Sequence, residues 1–125
     1  MADNALNNEN AGANAPVDFT WLRECTDNDA DAMKALLDMY FTRTNAMLDE
    51  IEKAIAAGTA VELRRLAHSC VGSSGTCGMV NLTPLFKQLE KKGIAGTVDG
   101  AADIAAQARS EFGRAQEFVS RTVKS

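Results

Sequence analysis

The sequence predicts an all-α protein, an up-down-up-down four-helix bundle with a short N-terminal capping helix. Three observations carry that expectation. Apolar residues recur at three- and four-residue spacings through four long segments, the period of a helix with one buried face. No stretch of useful length alternates apolar and polar residues, as a half-buried strand would. Aromatic residues make up only 6% of the chain against 46% apolar residues overall. With alanine abundant, that balance suits small-residue helix packing better than a β-sandwich.

At 125 residues the chain is one domain in length, long enough to bury a real core. Residues 1–16 carry Asn4, Asn7, Asn8, Asn10 and Asn14 with little to bury, and are expected to form a disordered tail ending at Pro16. The tail lacks the basic and apolar regions of a secretory signal. Residues 17–125 then form the bundle domain. Val17 to Cys25 holds Phe19, Trp21 and Leu22, enough for a short helix that lids one end. Asp27, Asn28 and Asp29 offer capping side chains and negative charge at the next helix start. That long helix buries Met33, Leu36, Leu37, Tyr40, Met47, Leu48, Ile51 and Ile55, and Gly58 closes it. Thr59 caps a third helix running to about Thr76, with Leu63, Leu66, Cys70 and Cys77 on its apolar side. Pro84 suits the first turn of a fourth, which buries Leu82, Leu85, Phe86 and Leu89 and ends near Gly93. Gly96 to Gly100 reads as a loop or a loose helix start. The last helix runs from Val98 or Ala101 to Val123 and buries Ile104, Ala108, Phe112, Ala115 and Val119. Short connections between long helices imply antiparallel neighbours.

A net charge of −4 argues against a duplex or membrane surface as partner, and no segment approaches the roughly 18 apolar residues of a membrane span. The expectation is a cytoplasmic monomer. Its three cysteines, Cys25, Cys70 and Cys77, lack CxxC spacing and read as buried reduced thiols. A zinc site built on His68, Cys70 and Cys77 fails on geometry, because the cysteines lie about 200° and 180° around the helix from His68. No metal site is expected.

His68 is the only histidine. Gly72 and Gly75 follow four and seven residues later, so all three share one helical stripe. Each glycine costs a helix about 1 kcal/mol relative to alanine. Keeping two of them beside the imidazole points to the close approach of something large.

The segment His68-Ser69-Cys70-Val71-Gly72-Ser73-Ser74-Gly75-Thr76-Cys77-Gly78 resembles the histidine-containing phosphotransfer (HPt) domain, whose motif is His-x-x-Lys-Gly-Ser/Ala-Ser/Ala-x-x-apolar-Gly. His68, Gly72, Ser73, Ser74, Cys77 and Gly78 match. The resemblance continues through Leu63-Arg64-Arg65-Leu66-Ala67 upstream and Leu89-Glu90 downstream, and covers roughly residues 17–123. It implies a phosphocarrier in which His68 accepts a phosphoryl group from an aspartate of a response-regulator receiver domain and passes it on. The implied partners are receiver domains and a hybrid histidine kinase. Mg²⁺ would sit on the receiver, and this chain would bind no cofactor. Val71, Gly72 and Gly75 would face the docked receiver.

One position departs from the motif. The family's Lys three residues after the histidine is Val71 here, so a cation that can screen the phosphoryl group is missing. Arg64, about 40° from His68 around the helix, and Arg65, about 60° off on the other side, are the candidate replacements. Lys87, Lys91 and Lys92 are further candidates, depending on the rotation of their helix. The alternative is a non-phosphorylated adaptor that keeps the bundle and binds receiver or kinase domains. An ATP-dependent kinase activity is not expected, since the sequence has no nucleotide-binding glycine loop with a basic phosphate ligand.

Overall fold

The computed structural model describes residues 15–123. Five helices make up most of it: α1 (Thr20–Cys25), α2 (Ala30–Ala57), α3 (Ala60–Thr76), α4 (Leu82–Ile94) and α5 (Ala101–Thr122). Each long helix packs on its neighbours in sequence, and α5 closes the ring on α2. The result is the expected bundle, α2 to α5, with its core along the shared axis.

Local chemistry sets most helix ends. Asp29 accepts from the Asp31 and Ala32 amides at 2.9 and 3.3 Å and so satisfies orphan donors at the start of α2. Gly58 ends that helix in the left-handed conformation. Thr59 occupies the cap position of α3, but its hydroxyl makes no capping bond.

The N-terminal segment does lid one end. An isolated bridge pairs Val17 with Met79, the Asp18 amide donates to Gly78 O at 2.8 Å, and Phe19 stacks on Phe118 at 5.8 Å. The expectation for residues 1–14 lies outside the described residues. Pro16, assigned to the tail, is buried, and its carbonyl accepts from the Val80 amide at 3.3 Å.

Several expected positions are rotated away from the core. Leu36 is exposed and Met47, Ile55 and Ile104 are half-buried, while Phe41, Thr44, Ala54 and Ala105 are buried in their place. Ala54 and Ala105 take the buried positions that the sequence pattern gave to the adjacent Ile55 and Ile104, a rotation of one residue around the helix. The cysteines also differ from expectation. All three are free, yet only Cys70 is buried, Cys77 is half-buried and Cys25 is exposed at the end of α1. α4 ends at Ile94, near Gly93 as expected, and Gly93 itself lies in the last turn against α3.

Between α2 and α3, Tyr40 Oη and Ser74 Oγ share a buried hydrogen bond of 2.5 Å. Burial pushes the Tyr40 phenol and the Cys70 thiol each up to about 12. Both groups therefore keep their protons in the fold at pH values where the unfolded chain releases them. The linkage makes stability fall as pH rises from about 9 towards 12. Urea midpoints measured at stepwise higher pH should decline through this window, and Tyr40→Phe should flatten the decline. A midpoint constant to pH 12 would contradict the burial of these groups.

Candidate functional site

His68 stands on the outer face of α3 with 76% of its side chain exposed. Its orientation comes from the neighbouring helix. Nδ1 lies 2.6 Å from Oε2 of Glu90, a residue of α4 whose side chain is only 21% exposed. A carboxylate there accepts from Nδ1–H, which fixes that tautomer and leaves the Nε2 lone pair directed away from the bundle. In that tautomer Nε2 is the ring nitrogen with no described hydrogen-bond partner, on a mostly exposed side chain.

Gly72 and Gly75 lie exposed beyond His68 on the same helix, and a Cβ added at either would meet nothing within 4 Å. Neither is required by packing within the chain. Gly93 is the opposite case. A Cβ there would come within 2.6 Å of the Arg64 Cβ and backbone nitrogen and 2.7 Å of its Cα. The backbones of α3 and α4 thus touch one turn before His68, and this close approach brings Glu90 within reach of the imidazole. Gly78, at φ +75°, likewise has no room for a Cβ, which would fall 1.9 Å from Asp18 O.

The other expected site residues separate. Arg64 is exposed beside His68 and forms no ion pair with a described residue. Arg65 is exposed and held by Glu62, with Nη2 2.6 Å from Oε2. Val71 is half-buried and packs against the core. Gly72 also borders a groove of ≈370 Å³ between α1, α2 and α3, whose apolar wall includes Trp21, Leu36 and Met39. These three are 47%, 36% and 69% exposed, a concentration of apolar surface that reaches Gly72, one turn beyond His68. Residue spacing points to an apolar contribution from α2 on this side, and Leu36, Met39 and Arg43 form that second stripe; Trp21 of α1 is the member that spacing alone does not place there. Sequence reasoning missed Glu90 as a partner of His68, noting it only within the resemblance.

A family model of the Hpt domain matches residues 35–118, most of the chain, a span that contains His68, Gly72, Gly75 and Glu90. The chain belongs to the Hpt domain family. A solved structure supports the assignment through the fold: histidine-containing phosphotransfer protein B (HptB) from Pseudomonas aeruginosa PAO1 superposes with a TM-score of 0.78. The two are 27% identical, and the match covers 87% of this chain and 96% of that one. No curated protein matches the chain. An Hpt domain is a phosphotransfer module of phosphorelays rather than a kinase. No helix among the described residues of this Hpt domain is long and apolar enough to cross a membrane.

Proposed function

We propose that this Hpt domain is a phosphorelay intermediate that carries a phosphoryl group on Nε2 of His68 between receiver-domain aspartates. The observation that carries the reading is the exposed imidazole held at Nδ1 by Glu90, with open space over Gly72 and Gly75. The Nε2 lone pair forms the P–N bond as the P–O bond to the aspartate breaks, and the aspartate oxygen leaves with that electron pair. No proton need move at Nε2. The ring gains positive charge, which the Glu90 carboxylate stabilises across Nδ1–H. Return transfer reverses these steps.

In this reading the receiver brings its own Mg²⁺ and aspartate, and its loops close over Gly72 and Gly75 while its apolar surface covers the Trp21–Leu36–Met39 groove. Arg64 adds positive charge on the N-terminal side of His68. A monomer suffices for this role, with a hybrid histidine kinase upstream. Val71 favours one other reading, an adaptor that docks on receivers without taking phosphate, because its half-buried side chain supplies no cation.

Incubation with a phosphorylated receiver separates the two. The carrier acquires acid-labile, base-stable phosphate that is absent from His68→Gln. Receiver binding that survives His68→Ala, with no phosphate on the wild type, would establish the adaptor instead. Glu90→Ala should slow transfer by roughly ten- to a hundredfold by freeing the ring's tautomer and orientation, with Glu90→Gln retaining part of the rate. Equal single-turnover rates for all three proteins would remove Glu90 from the mechanism.

A further inference from the structure

We propose that Lys87, from α4, supplies the positive charge that α3 lacks at Val71 and contacts the phosphoryl oxygens as His68 is loaded. The inference rests on His68 being the phosphoacceptor. Two contacts fix the register of the antiparallel helices: Arg64 against Gly93, and His68 Nδ1 against Glu90 at 2.6 Å. Three residues onward from His68 is Val71, and three residues back from Glu90 is Lys87. Each step is about 4.5 Å along its helix in the same direction, so Val71 and Lys87 stand level. Lys87 lies roughly 60° around α4 from Glu90. It is exposed and makes no ion pair with a described residue.

Arg64 stands a turn before His68 rather than level with Val71, and Arg65, Lys91 and Lys92 are placed less well. Arg65 is engaged by Glu62 at 2.6 Å. Lys92 is directed towards the α4–α5 connection, where its Nζ lies 3.4 Å from a Cβ added at Gly100. Lys91 is about 100° around α4 from Glu90, opposite the helix's buried face. During transfer, negative charge is spread over three phosphoryl oxygens while the P–N bond forms and the leaving group departs with its electron pair. An ammonium on a long flexible stem can follow that charge and remains protonated throughout.

The test loads the 125-residue chain with phosphoramidate, which transfers its phosphoryl group to His68 Nε2 as its own P–N bond breaks and ammonia leaves. Loading is followed by ³¹P NMR for the wild type, Lys87→Gln, Lys87→Arg and Lys87→Gln/Val71→Lys. Circular dichroism checks that each variant folds. In about 0.05 M salt, Lys87→Gln should load about fivefold more slowly, and Lys87→Arg should stay near wild type. Val71→Lys should restore the rate by placing the charge at the same level on α3. The deficit should shrink in about 1 M salt, where screening acts over only about 3 Å. Wild-type loading by Lys87→Gln overturns the proposal, as does a deficit that neither Val71→Lys nor salt alters. If the wild type itself takes no phosphate on His68, the phosphoacceptor reading fails and Lys87 falls with it. If the wild type loads and Lys87→Gln loads equally, only Lys87 falls.

Discussion

Gly93→Ala should destabilise the bundle by about 3 kcal/mol, a large effect for a single methyl group added inside a helix. At an open helical site the same change gains up to about 1 kcal/mol. Here the added Cβ meets the Arg64 backbone at 2.6 Å, and neither helix has a flexible side-chain end to move aside. The helices must separate or shift, and the next turn of that interface carries the His68–Glu90 hydrogen bond. Urea denaturation gives the stability change, and the His68 ring resonances report the altered contact. Stability equal to wild type would mean that α3 and α4 do not approach this closely.

Gly72→Gln should do the reverse, raising stability while abolishing most transfer from a receiver. Its Cβ enters open space within this chain, and replacing a helical glycine with a good helix former adds about 1 kcal/mol. The added side chain occupies the clearance that a docked receiver needs beside His68. Transfer from a phosphorylated receiver should fall by roughly a hundredfold or more, since small displacements of reacting groups have effects of that order. Loading from phosphoramidate, a donor small enough to pass the glutamine, should change little. This contrast separates lost docking from lost chemistry. Equal losses with both donors would mean that Gly72 matters to the imidazole rather than to the partner.

The two glycines show how far the sequence was readable. Gly72 and His68 lie on one helix, so their shared stripe follows from residue spacing alone. The same is true of Asp29 and Gly58, whose effects act within a few residues of backbone. That α4 ends near Gly93 was legible from the sequence, but nothing local marks this glycine as a contact with a residue 29 positions earlier in the chain. Glu90 is likewise brought to His68 only by that contact. Leu36 was assigned to the core because its spacing fits the apolar stripe. Trp21 from α1 and Met39 from α2 instead share a groove with it, a juxtaposition set by how α1 folds over the bundle. Val71 was legible as a departure from the motif, whereas the cation level with it on α4 required the register of two helices.

The central claim is that the bundle exposes Nε2 of His68 as the phosphoryl acceptor while Glu90 holds Nδ1. Its most direct test is ³¹P and ¹⁵N NMR of the chain after transfer from a phosphorylated receiver. The account predicts one phosphoramidate signal, with phosphorus coupled to Nε2 of His68. Phosphate on Nδ1 or on another residue, or none on a folded chain that binds the receiver, would contradict it.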